Sequence, residues 1–113
     1  MQNNFPESDW KTLSRLRPLA LERLCKRILQ ESGNILDRAQ EDGHHHAYLD
    51  LYRHIRESDD IVAVCFNEFK RSQAMNTLAN WIENNLLTDE EFASFQLETR
   101  EMVVGILEVR RRE

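Results

Sequence analysis

The chain of 113 residues has the length of one domain, with 41% apolar and 31% charged residues. It contains three glycines and two prolines, which argues against an all-β fold, because such a fold needs a turn about every ten residues. The formal net charge of −5 argues against nonspecific binding to a nucleic-acid backbone, which requires clustered lysine and arginine. We predict an all-α fold, a single domain over residues 1–113 built as a compact helical bundle of about four main helices plus two short ones.

The start of the chain and its two cysteines bear on the cellular compartment. Residues 1–7 are predicted to be flexible, and they lack both the basic start and the apolar run of a signal peptide. No apolar stretch approaches the roughly 20 residues that span a membrane. Cys25 and Cys65 lie in apolar helical patterns and are expected to be reduced core thiols, with a disulfide or a redox pair as the alternative. We therefore expect a cytoplasmic protein without membrane association.

Pro18 is predicted to separate the first two helices. Ser8 suits the N-cap of a short helix that ends near Leu16, because Pro18 lacks a backbone donor and disfavours helix at the preceding residue. A long second helix is then predicted over residues 18–41, and Gly43 is expected to end it in a left-handed conformation.

The second helix carries an apolar stripe that indicates close packing along another helix. Large and small residues alternate on it in the order Leu21, Cys25, Ile28, Ser32, Ile35 and Ala39. The stripe is widened by Leu24, Leu29 and Leu36. Gly33 lies in the middle of this helix, where glycine costs about 1 kcal/mol relative to alanine. A close helix crossing or a bend would explain it.

Two further helices are predicted between Gly43 and Leu87. The third covers residues 45–57, and its apolar stripe is Tyr48, Leu51, Tyr52 and Ile55. The serine and aspartates at 58–60 suit an N-cap, so a fourth helix is predicted over residues 60–86. The second and fourth helices are the longest, and we predict that they pack antiparallel.

A capping box marks the next helix. Thr88 can cap the amide of Glu91, whose side chain can reach back to Thr88, while Leu87 and Phe92 occupy the positions of a hydrophobic staple. This pattern predicts a short helix that ends near Phe95. A last helix is predicted over residues 97–111, with terminal arginines placed favourably for the helix dipole.

The aromatic residues exceed what narrow helical stripes need. We predict that Trp10, Phe66, Trp81 and Phe95 contribute to a symmetric interface between two copies of the chain. The partner expected on this basis is a protein, and a homodimer is the form that long stripes in a short chain favour.

A histidine-rich segment offers the main alternative. His46, Asp50 and His54 follow one another at i, i+4 and i+8, so they lie on nearly one face of a helix and could bind zinc with a further ligand. In the competing interpretation they form a polar surface, with Asp50 paired to Arg53 or His54. The imidazoles could also sense pH.

No segment carries a catalytic motif. The sequence lacks a glycine-rich phosphate loop and a nucleophile elbow, and Cys65 lies in an apolar setting that disfavours a reactive thiolate. Glu41 and His44 have the Glu-x-x-His spacing of di-iron sites, but Gly43 is expected to break the helix between them. Acidic residues are scattered among the basic ones, which makes nucleic acid an unlikely partner. We therefore predict a non-catalytic protein–protein interaction or regulatory module, without a cofactor. The alternative is a metal-binding protein.

Overall fold

The computed structural model describes residues 5–113, which are helical and contain no strand. The elements in chain order are α1 (Glu7–Asp37), α2 (Ala39–Asp42), α3 (His44–Phe66), a 3₁₀ turn (Arg71–Gln73), α4 (Ala74–Glu83), α5 (Asp89–Ala93) and α6 (Leu97–Arg112). The prediction of an all-α helical bundle is confirmed. Of residues 1–7, which the sequence predicts to be flexible, Phe5 is 3% exposed and Glu7 begins α1, while residues 1–4 lie outside the described part.

The predicted break at Pro18 is wrong, because α1 continues through it without interruption. Pro18 is exposed and cannot donate to the carbonyl of Ser14. On either side of it, Leu16 and Ala20 are at most 1% exposed and belong to one core. Burial of this continuous stripe outweighs the local cost of proline. Pro6 rather than Ser8 occupies the N-cap.

The two longest helices, α1 and α3, form an antiparallel hairpin. His54 hydrogen-bonds to the carbonyl oxygen of Ile28 at 2.9 Å, and Arg17 Nη2 donates to the carbonyl oxygen of Phe66 at 3.0 Å. A residue earlier in α1 thus meets a residue later in α3, as antiparallel helices require. Gly43 ends α2 with a φ of 97°, which confirms the predicted stop.

The predicted boundary at residues 58–60 is also wrong, because α3 passes through it. Ser58 is 8% exposed and its hydroxyl lies 3.5 Å from His54 Nδ1, so it serves the hairpin interior instead of capping a new helix. The predicted fourth helix is interrupted after Phe66 instead. There Phe69 turns inward and stacks on Trp10 and Trp81, with ring centroids 4.8 and 6.3 Å apart.

The core lies at one end of the hairpin, where α4, α5 and α6 pack against it. Trp81 is fully buried, and its indole Nε1 donates to the carbonyl oxygen of Cys65 at 2.9 Å. Asp9 is 2% exposed and accepts hydrogen bonds from Thr99 Oγ1 and from the amide of Gln96, which fastens the start of α6 to the start of α1. These polar groups are buried with their partners, as the low dielectric of an interior demands.

The predicted capping box is confirmed. The amide of Glu91 donates to Thr88 Oγ1 at 3.1 Å, and the amide of Thr88 donates to Glu91 Oε1 at 2.9 Å. Arg23 of α1 binds the same carboxylate through two hydrogen bonds of 2.7 and 2.9 Å. The cap is thereby tied to the long hairpin.

The hairpin extends well beyond this core. The principal extents are 53 × 30 × 23 Å and the radius of gyration is 17.0 Å, against about 13 Å for a globular chain of this length. No residue from 29 to 61 belongs to the core cluster. We call residues 29–61 the distal hairpin.

Candidate interaction surface on the distal hairpin

Large apolar side chains are exposed along the distal hairpin. Those that form one side of it are Leu29 (68% exposed), Leu36 (60%), Tyr48 (66%), Tyr52 (59%) and Ile55 (45%). Leu29 and Leu36 are seven residues apart on α1, and the other three follow the spacing i, i+4 and i+7 on α3. Each set therefore forms a stripe along its own helix.

The two stripes lie on the same side of the hairpin. Each exposed residue directly follows a residue that is turned towards the other helix: the inward residues are Ile28 and Ile35 in α1 and Ala47, Leu51 and His54 in α3. Each residue along an α-helix is rotated by about 100° from the one before it. When two antiparallel helices face each other, the residue after an inward one therefore points to the same side of the hairpin in both helices. The hairpin thus presents one continuous apolar surface.

The opposite side is mixed in character. An open groove of about 400 Å³ is lined there by apolar side chains (Leu24, Ile28 and Ile61) and by polar or charged ones (Arg27, Glu31, His54, Glu57, Ser58 and Asn84). Arg27 donates to the carbonyl oxygens of Asn84 and Asn85 at 2.7 and 3.1 Å, so α4 lies on this side of the hairpin.

The apolar surface contains a glycine, and the exposed Asp59 borders it four residues after Ile55. We define the apolar face as Leu29, Gly33, Leu36, Tyr48, Tyr52 and Ile55. Gly33 lies four residues after Leu29 and three before Leu36, on the same side of α1. A Cβ atom built at Gly33 would have no neighbouring atom within 4 Å. The close crossing that the sequence suggested for Gly33 is therefore absent within this chain, although α1 continues through the residue.

The structure separates the three residues predicted to bind a metal. His46 Nε2 and Asp50 Oδ2 are 3.1 Å apart on the first turns of α3. His54 is turned into the hairpin, where its Nε2 carries the proton because the carbonyl oxygen of Ile28 can only accept a hydrogen bond. His54 is therefore not a ligand beside the other two, and the predicted triad is corrected in this respect.

Asp42 takes the place of His54. One side-chain ligand atom from each of Asp42, His46 and Asp50 lies within 4.8 Å of the others. These three residues have the spacing i, i+4 and i+8 in the sequence, but Gly43 interrupts the helix between Asp42 and His46, so the spacing alone does not predict a shared face. Both carboxylates already have cationic partners: Arg38 Nε lies 3.7 Å from Asp42 Oδ2, and Arg53 Nη1 lies 3.2 Å from Asp50 Oδ1.

Three of the four aromatic residues predicted for an interface lie in the core. Phe66, Trp81 and Phe95 are 4%, 0% and 2% exposed, so the chain's own residues cover them and they have no surface left for a partner. Trp10 is partly buried and stacks on Phe69. For Phe66, Trp81 and Phe95 the expectation is corrected, because the aromatics of the apolar face are Tyr48 and Tyr52.

The cysteines form no disulfide. Cys65 is 1% exposed, and burial raises the pKa of its thiol above the usual range. Since the thiolate is the reactive form, this environment suppresses nucleophilic chemistry at Cys65. Cys25 is partly buried on α1.

Comparisons with protein-family models, with curated proteins and with solved structures gave no match. Among residues 5–113, no helix is long and apolar enough to cross a membrane.

Proposed function

We propose that this chain is a non-catalytic interaction module that binds a protein partner through the apolar face of the distal hairpin. The observation that carries the proposal is the concentration of large, exposed apolar side chains on one side of the hairpin. Contiguous apolar surface on a soluble domain marks a site that another molecule covers.

The chemistry of the face favours a protein as the partner. Its large side chains are tyrosine and aliphatic, which matches the centre of a protein–protein interface. Arg53 and Arg56 line a groove beside Tyr52 at its edge, as in the polar rim of such an interface. A flat face on two helices also differs from the concave pockets that hold small molecules.

The proposed setting is a reducing compartment such as the cytoplasm. Cys25 and Cys65 are unpaired, and a reducing compartment preserves free thiols. The proposal contains no catalytic step. The ring nitrogens of His54 are engaged with the Ile28 carbonyl and with Ser58, and burial disfavours the Cys65 thiolate.

Site-specific photo-crosslinking inside cells tests the proposal. A photoreactive residue at position 29 lies on the apolar face, whereas one at position 30 lies on the outer edge of the same helix. We expect position 29 to give discrete protein adducts and position 30 to give none. Equal yields of adducts at the two positions, or none at position 29, would refute docking at this face.

Binding of a metal ion such as zinc is a second candidate, supported by the proximity of Asp42, His46 and Asp50. The apolar face is the better-supported site, because Arg38 and Arg53 already neutralise the two carboxylates and the cluster is largely exposed. Calorimetric titration with zinc tests the metal site. Binding heat in the wild-type protein that is lost in His46→Ala would establish the metal site, and its absence would remove it.

A further inference from the structure

We propose that the occupant of the apolar face is a second copy of this chain, so that two distal hairpins pack face to face in a symmetric dimer. This inference rests on the proposed function, because it names the partner for the same face. Two antiparallel hairpins joined in this way form a four-helix bundle, and a two-fold axis presents the same residues from both copies.

The available area meets the requirement of a dimer. The five large side chains of the face are 45–68% exposed. With aromatic side chains burying up to about 250 Å² each, they offer on the order of 600 Å² per copy. Two copies would then bury on the order of 1,200 Å², which is the lower limit for a specific, stable interface.

The composition of the face favours a copy over a different protein. Interfaces between identical chains are more apolar than those of transient complexes, and their centres are depleted of charge while aromatic residues are enriched. Leu29, Leu36 and Ile55 beside Tyr48 and Tyr52 have this composition. A partner must present a similarly apolar surface, and a second copy supplies one.

Gly33 provides an independent argument. Glycine costs about 1 kcal/mol relative to alanine inside a helix, and nothing within the chain requires it, since a Cβ there would meet no atom within 4 Å. Gly33 lies between Leu29 and Leu36 at the middle of the α1 stripe. The missing side chain leaves space in which a large side chain of the facing copy, such as a tyrosine, can approach the backbone of α1.

The charge distribution predicts an unusual response to salt. Each copy carries a formal charge of −5, and none of it lies on the apolar face. Association therefore brings two negatively charged bodies together. Added salt screens this repulsion and strengthens the dimer, whereas it would weaken a complex with a basic partner protein.

Analytical ultracentrifugation of the full chain tests the inference. From about 1 to 500 µM, a range suited to an interface of modest area, we expect a species of twice 13.4 kDa. Its population should rise with concentration and with salt.

Two charge variants locate the interface. Leu29→Glu places a charge at the interface and should weaken the dimer at least about 100-fold, because a charge buried without a partner is strongly unfavourable. Gln30→Glu adds the same charge one residue away on the outer edge, and should leave the dimer unchanged. Circular dichroism is the control that both variants fold.

Gly33→Ala distinguishes an effect on dimerisation from an effect on the stability of helix α1. The methyl group should raise the thermal stability of the monomer at low concentration, yet weaken dimerisation at least about 10-fold by filling the space between the helices. If Gly33 has no role in the dimer, Gly33→Ala would raise the thermal stability without weakening dimerisation.

The outcomes distinguish the two proposals. A wild-type chain that stays monomeric at every concentration, or a dimer that survives Leu29→Glu, overturns the inference of a dimer through this face. The proposed function would still stand if position 29 gave crosslinks to a different protein. It would fall if position 29 gave no protein adduct.

Discussion

The ion pair between Arg23 and Glu91 predicts a defined dependence of stability on pH. The two hydrogen bonds from Arg23, the largest influence, and the cap at Thr88 lower the pKa of the Glu91 carboxyl from 4.5 to about 2 in the folded chain. Because the folded pKa lies below the unfolded one, the stabilisation is fully present above pH 4.5. It is lost as the pH falls towards 2.

The magnitude follows from the same contact. Each pH unit by which a pKa falls corresponds to about 1.4 kcal/mol, so the full change would represent about 3 kcal/mol. Arg23 is 35% and Glu91 20% exposed in their side chains, and water screens such a pair. We therefore expect about 1–2 kcal/mol at pH 7.

Glu91→Gln isolates this contribution, because glutamine preserves the acceptor of the capping box and removes the charge. Urea unfolding monitored by circular dichroism should show a loss of about 1–2 kcal/mol at pH 7 and less than half of that loss at pH 2.5. Glu90→Gln, at an exposed position in the same turn, is the control and should change stability by less than about 0.5 kcal/mol. A Glu91→Gln effect that is absent at pH 7, or equal at both pH values, would refute the assignment.

Two further predictions concern helix α1 and the division between core and distal hairpin. Pro18→Ala should raise the free energy of unfolding by about 1–3 kcal/mol in urea titrations, because it restores a helical hydrogen bond inside a continuous α1; a neutral or destabilising effect would instead indicate a helix that begins at Pro18. Leu78→Ala should cost about 2–5 kcal/mol, whereas Leu36→Ala should cost less than about 1 kcal/mol at concentrations that favour the monomer. The contrast is expected because Leu78 is fully buried and Leu36 is 60% exposed; similar losses would contradict an uncovered distal hairpin.

The sequence predicted best those features whose determinants lie within a few residues. The capping box at Thr88 and Glu91 needs only a four-residue segment, and the stop at Gly43 depends on the conformational freedom of one residue. Pro18 and Ser58 are local signals of the same kind, yet the helix boundaries that they predict are absent. The deciding contribution there is burial against residues far away in the chain, which a local pattern does not contain.

The candidate site shows the same division. Apolar spacing identified Tyr48, Tyr52 and Ile55 as a stripe, and Leu29 and Leu36 as an extension of another. Spacing alone could not distinguish a stripe covered by the chain itself from one left exposed. That distinction depends on where α4 to α6 pack, and they pack against only one end and one side of the hairpin.

The separation of the distal hairpin from the core has a consequence for hydrogen exchange. Amides in residues 29–61 can open without disturbing Trp81, Leu78 or the Asp9–Thr99 contact, so their protons should exchange through local fluctuations of low free energy. A partner bound to the apolar face would slow hydrogen exchange in residues 29–61 far more than in the core. Binding at the apolar face would thus be detected as increased protection of the amides of the distal hairpin from hydrogen exchange.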